Sequence, residues 1–243
     1  MDYKKNIKNM LIELEEIINN SNKRIYILFD ADNTLFPNDS GKLFSKYSNF
    51  DFLKVKAVFE SYGDYCFDAF YDLASLYSEI PLETFYSASL KASKMIKINK
   101  NFLTLIKEFE EKAQIIIVTA GFKTIWKNVI KENNLNVRLI AGNNIKLDNY
   151  IVDNFLKGEL VNYLKENKKY VISFGDSFVD KEMLLNSDKS YLVVYKKVRE
   201  NLIDLLFNNG NTKLILMNEM EIKNLKLNIS NFDEISNYFR SIT

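Results

Sequence analysis

Two aspartates one residue apart, Asp30 and Asp32, stand at the end of the apolar run Tyr26-Ile27-Leu28-Phe29. Carboxylates this close repel each other by roughly a few kcal/mol where water is partly excluded, unless a cation lies between or beside them. The pair therefore calls for a metal. Mg²⁺ suits a site of carboxylate, backbone carbonyl and water oxygens, and it commonly binds together with phosphate. One carboxylate would then attack phosphorus while the other handles protons. The same residue types also serve as helix caps and Asx turns after a core strand, so the pair alone leaves both uses open. Further polar clusters tip the balance. Thr119 can hydrogen-bond a phosphoryl oxygen, and Gly121 beside it lets the backbone come close because no Cβ intervenes. Lys157 supplies a positive charge that a phosphate and an aspartyl nucleophile both need. Asp176 and Asp180 flank a loop-to-helix junction and can converge either on the metal or on the lysine. Phosphoryl transfer asks for little beyond such positioning and charge neutralisation.

These side chains need a frame that gathers them. The run ahead of Asp30 does not alternate with polar residues, which marks a strand buried on both faces, and the carboxyl ends of such strands are where open parallel sheets bind ligands. Similar runs at Ile115–Val118, Val137–Ala141, Tyr170–Phe174, Tyr191–Tyr195 and Leu214–Met217 alternate with helical patterns. The expected fold is therefore α/β, a doubly wound, mostly parallel sheet with right-handed crossovers. Residues 1–20 place Ile7, Met10, Leu11, Leu14, Ile17 and Ile18 on one stripe of a helix that packs on the core or forms a dimer seam. Residues 41–99 change to helical periods rich in aromatics and without a strand, so they are expected to form a small α-helical domain inserted after the first strand. Residues 1–40 and 100–243 then make the core domain. Aromatics of the insertion, Phe44, Phe59, Phe70, Tyr77 and Phe85 among them, are expected mainly to fill a small bundle's own core.

Composition narrows the chemistry. The chain of 243 residues has no histidine, which removes Ser-His-Asp and Cys-His triads, His-ligated zinc and phosphohistidine together. Cys66 is the sole cysteine, so neither an intrachain disulfide nor a Cys-based zinc site is available. A net charge of +1 gives no electrostatic case for nucleic acid or an anionic membrane. No signal-peptide pattern opens the chain, no apolar run approaches membrane-spanning length, and a cytoplasmic protein is expected.

Taken in order, the polar clusters resemble the motifs of the haloacid dehalogenase (HAD) superfamily. Asp30-Ala31-Asp32-Asn33-Thr34 matches DxDxT, Val118-Thr119-Ala120-Gly121-Phe122 the strand-end hydroxyl motif, Leu156-Lys157-Gly158-Glu159-Leu160 the lysine motif, and Gly175-Asp176-Ser177-Phe178-Val179-Asp180 the motif GDxxxD. The chain is most similar to the phosphoserine phosphatase-like branch, whose helical cap lies between the first two motifs. The resemblance implies a Rossmann-like core and a phosphoaspartyl intermediate on Asp30, with Asp32 protonating the leaving group and then activating water. It implies phosphate binding by Thr119, Ala120, Gly121 and Lys157, and substrate binding by Asp39, which falls where that branch places an acidic residue. It implies Mg²⁺ held by Asp30, the Asp32 backbone carbonyl and Asp176, with Asp180 in support. Between Asp39 and Asn101 there is no arginine, whereas phosphoserine phosphatases use a cap arginine on the substrate carboxylate, and this argues against phosphoserine itself. The expected function is hydrolysis of a small phosphorylated metabolite by a monomer or homodimer, with no nucleic-acid or membrane partner. A phosphotransferase or phosphomutase would share every motif, and a non-catalytic binding protein of the same fold is the alternative from another class.

Overall fold

Strand β1 (Ile25–Phe29) is buried along its whole length, as an apolar run covered on both faces of a sheet must be. Ile25, Ile27 and Phe29 join one core cluster and Tyr26 and Leu28 another, the period of two that a strand imposes. The computed structural model describes residues 2–196, 199–209, 211–217 and 229–243. Among these, β1 pairs with β2 (Gln114–Thr119) on one side and β4 (Tyr170–Gly175) on the other. Adding β3 (Arg138–Ala141), β5 (Lys189–Val194) and β6 (Thr212–Leu216) gives the order β3-β2-β1-β4-β5-β6, parallel throughout. The chain runs outward from β1 to β3 and then returns to β4, so the topological switch lies beside β1 at the carboxyl edge.

One face of the sheet is covered by α1 (Tyr3–Asn19) and α8 (Asn154–Glu166) through Met10, Leu14, Leu156 and Leu160. The other is covered by α6 (Lys100–Phe109), α7 (Lys123–Glu132) and α11 (Phe232–Ile242) through Phe102, Phe109, Trp126 and Phe239. Around β5 and β6, α9 (Lys181–Asn186) and α10 (Glu200–Asn209) bury Leu184, Leu202 and Leu206. The rings of Phe29, Phe174 and Tyr191 stack in a row across β1, β4 and β5, with centroids 4.6 and 4.7 Å apart. Among the described residues no helix is long and apolar enough to cross a membrane.

Between β1 and α6 lie α2 (Ser40–Ser48), α3 (Leu53–Tyr62), α4 (Phe67–Ser78) and α5 (Leu82–Met95), with no strand. Their rings do not simply fill a bundle of their own. Phe44, Tyr77 and Phe85 surround Phe122, the residue before α7, at centroid distances of 4.1, 4.7 and 5.6 Å. The reason is placement: Phe122 follows the Thr119 cluster, so the helical segment packs onto the sheet edge rather than standing apart from it.

Helix α1 is tied down by Asn6, whose amide donates to Ile151 O at 2.8 Å and accepts from Ile151 N–H at 2.7 Å. Just beyond, Asp153 caps α8 by accepting from Leu156 N–H at 2.7 Å, while its Oδ2 is buried with no partner among the described residues. Burial, only partly offset by backbone N–H groups, pushes the Asp153 carboxyl up to about 6. The unfolded chain releases this proton near pH ~4, so between those values the native state binds more protons and stability falls as pH rises. Asp153→Asn keeps a capping acceptor and removes the titration. Urea unfolding at pH ~4.5 and ~7.5 should show the wild type losing about 2 kcal/mol more than the variant across that range.

Candidate active site

One turn into α8, Lys157 is fully buried, and its Nζ donates to Asp30 Oδ1 at 2.7 Å and to Asp180 Oδ1 at 2.6 Å. Asp30 directly follows β1, and its N–H still donates to Phe174 O of β4 at 2.8 Å, so the strand ladder itself carries this carboxylate. Asp180 ends a single 3₁₀ turn, Phe178–Asp180, and its Oδ2 accepts from the N–H groups of Asp176 at 3.0 Å and Ser177 at 3.1 Å and from Ser177 Oγ at 3.1 Å. With both oxygens engaged, Asp180 works as a strut between the lysine and the loop that presents Asp176. Gly175 makes the strut possible, since a Cβ there would sit 2.5 Å from the Asp180 Cβ.

Carboxylate oxygens of Asp30, Asp176 and Asp180 lie within 4.8 Å of one another. Three carboxylates against one ammonium leave two negative charges in excess. The excess charge bears on the protonation of the group. Burial and then the charge of Asp180 push Asp30 up despite the neighbouring lysine, and burial, Asp180 and Asp30 push Asp176 well above the ordinary carboxylate range. Burial alone would favour a neutral Lys157, but Asp180 and Asp30 outweigh it and hold the ammonium. The Asp176 carboxylate accepts no hydrogen bond among the described residues, which leaves it available. An all-oxygen donor set whose carboxylates resist being ionised together fits a hard divalent cation such as Mg²⁺.

Asp32 lies outside that acidic group. Its Oδ2 accepts from Ser40 Oγ at 2.6 Å, and its Oδ1 is buried without a partner among the described residues. Burial first, then the charges of Asp39 and Asp30, raise the Asp32 carboxyl well above its usual value, against the opposing hydrogen bond from Ser40. The chain turns sharply after it because Asn33 adopts φ 56°, a left-handed conformation that asparagine tolerates. Thr119 ends β2, and its Oγ1 accepts from Gly121 N–H at 3.0 Å. A Cβ on Gly121 would meet Thr119 Oγ1 at 3.1 Å and both Asp32 Oδ2 and Ser40 Oγ at 3.3 Å, so glycine keeps this approach open. Asp39 caps α2 through Oδ1, which accepts from Lys42 N–H at 3.1 Å.

A cavity of about 220 Å³ opens above these groups. Asp30, Asp32, Asp39, Thr119, Ala120, Gly121 and Asp176 all line it, and Lys157 and Asp180 lie behind the first of them. The structure thus brings together every residue singled out from the sequence. Sequence reasoning missed three neighbours. Ser40 orients Asp32, while Asn143, after β3, and Arg199, before α10, line the cavity from opposite ends of the sheet edge. The start of α2 folding back over Asp32 brings in Ser40, and the strand order brings in Asn143 and Arg199.

A family model described as haloacid dehalogenase-like hydrolase matches residues 27–185. No curated protein matches the chain. Among solved structures, a phosphoserine phosphatase captured as a phospho-aspartyl intermediate analogue is similar at 18% identity and TM-score 0.61, with 89% of this chain and 99% of that one covered. Phosphoserine phosphatase from T. onnurineus is similar at 14% identity and TM-score 0.57, covering 90% and 95%. A HAD family hydrolase from Salmonella enterica is similar at 15% identity and TM-score 0.58, covering 75% and 65%. At these identities the likeness establishes the fold. The matched span runs from the second half of β1 through α9 and contains all four polar clusters at the sheet edge, and the chain belongs to the haloacid dehalogenase-like hydrolases.

Proposed function

We propose that this protein is a Mg²⁺-dependent phosphomonoester hydrolase that acts on a small phosphorylated metabolite in the cytoplasm through an aspartyl phosphate on Asp30. The observation that carries the reading is the buried Lys157 ammonium held between Asp30 and Asp180, directly behind an acidic group with an excess of negative charge. Asp30 is the nucleophile: its backbone is fixed in the strand ladder, and Lys157 fixes its Oδ1. Asp32 is the proton carrier. Its raised carboxyl keeps a proton for the departing alkoxide, Ser40 holds Oδ2, and the unpartnered Oδ1 is the atom that gives the proton up and later takes one from water. The Thr119 hydroxyl, which receives Gly121 N–H, keeps its own proton free for a phosphoryl oxygen. Asp30, Asp176 and the Asp32 backbone carbonyl would hold Mg²⁺, which when bound neutralises phosphoryl oxygens that would otherwise repel the nucleophile. Residues 41–99 act as the cap that closes over the cavity and excludes water.

The Asp32→Asn variant tests the reading with p-nitrophenyl phosphate and Mg²⁺. Because p-nitrophenolate leaves without needing a proton, the first step survives better than hydrolysis of the phosphoenzyme. Acid-quenched protein should carry near-stoichiometric phosphate, and steady turnover should fall about 10²–10⁴-fold. Full activity with no trapped phosphate would remove Asp32 from its role.

A further inference from the structure

Opposite the carboxylates, the cavity is walled by rings. Phe52, Phe59, Tyr65, Phe70 and Tyr77 line it, all from the segment between α2 and the end of α4. Phe59 lies 5.0 Å from both Tyr65 and Phe70, centroid to centroid, and Tyr65 lies 6.5 Å from Phe70, so three of the rings form one continuous apolar surface. No lysine or arginine of this wall lines the cavity among the described residues. The nearby Lys42 ammonium is held over the Phe52 ring at 5.6 Å. Arg199, the one cation in the lining among the described residues, lies close enough to Asp176 to favour that carboxylate's ionised form, on the side of the acidic group. Beside the hydroxyls of Tyr65 and Tyr77, two acceptors stand near the rings. Asp39 contributes a carboxylate whose Oδ1 alone is used for capping, and Asn143, 5% exposed, has a buried Oδ1 without a partner among the described residues.

A leaving group entering this space meets ring π-systems and negative oxygens. An anionic leaving group would be desolvated there with no counter-charge, an uncompensated cost. A cationic one would gain the attraction of Asp39 and cation–π contacts with the rings. Resting on the hydrolase reading above, we infer that the substrate is the phosphomonoester of an amino alcohol, with its ammonium group lodged among the rings beside Asp39. Carboxylate-bearing leaving groups are rejected.

The test compares four esters on the Mg²⁺-loaded full chain: phosphocholine, phosphoethanolamine, 3-phosphoglycerate, and 3,3-dimethylbutyl phosphate, the neutral isostere of the first. Phosphocholine should exceed its isostere at least about tenfold in kcat/KM, and phosphoglycerate by more. Asp39→Asn and Phe70→Leu should each narrow the ratio between phosphocholine and isostere, and Val55→Arg should move the preference toward phosphoglycerate. Equal rates for the cation and its isostere, or a preference for the carboxylate ester, would overturn the inference. Calorimetric titration of the Asp30→Asn variant with the same four esters reads the order without turnover. If nothing is hydrolysed, p-nitrophenyl phosphate included, yet phosphocholine binds tightest, the hydrolase reading fails and the cation preference stands. Hydrolysis that favours the carboxylate does the reverse, and binding of none of the four overturns the inference, and with it the hydrolase reading if p-nitrophenyl phosphate is not hydrolysed either.

Discussion

Asp30→Asn should lose at least about 10⁴-fold in kcat toward p-nitrophenyl phosphate, with no phosphate retained on acid-quenched protein. The amide removes the attacking lone pair and the charge while preserving shape, so the loss is chemical rather than structural. Lys157 keeps its 2.6 Å contact with Asp180, and the Asp30 N–H keeps its ladder bond to Phe174, so the variant should melt close to the wild type. Retention of more than a few per cent of wild-type kcat, in protein free of deamidation, would take the nucleophile's role away from Asp30.

Lys157→Met carries the largest expected effect on stability. The lysine is completely buried and is the direct ionic partner of two carboxylates, and removing one member of such a group strands the others. The cost is about 3–5 kcal/mol, together with a loss of at least about 10²-fold in kcat as the phosphate and nucleophile lose their shared counter-charge. The pH dependence has a definite sign. Asp30 already sits above its ordinary value because of burial and Asp180, and losing the ammonium raises it further. A native state that holds a proton the unfolded chain has released loses stability as pH rises, so the variant should be most impaired at pH ~8 and partly recovered near pH ~5. Urea unfolding in excess EDTA at both values measures this, and equal stability of variant and wild type at pH ~8 would mean that the triad contributes nothing.

The strand ends were legible in the sequence because each apolar run stops abruptly at a polar residue, at Asp30, Thr119 and Asp176, and a parallel sheet lines such stops up on one edge. Lys157 was legible through its motif, but its dual contact was not, since nothing local tells whether Asp180 faces a metal or an ammonium. Ser40 looks like an ordinary helix-start serine until α2 folds back over Asp32. The aromatics of 41–99 read in the sequence mainly as filling for a bundle, with a minority free to shape a pocket, and ring content alone cannot distinguish a side chain stacked on Phe122 from one facing a cavity. Arg199 and Asn143 could not be foreseen, because their meeting depends on loops after strands at opposite sides of β1.

The ladder bond from Asp30 N–H to Phe174 O, with the stacked row of Phe29, Phe174 and Tyr191 alongside it, vests the aim of the proposed attacking group in the sheet and not in any loop. On the proposed function, admission is decided elsewhere, by helices that never touch that bond. Sequence drift in the roof can therefore change which molecules enter while the weapon beneath stays trained on the same point, so a lineage built on this plan can acquire new diets without rebuilding its teeth.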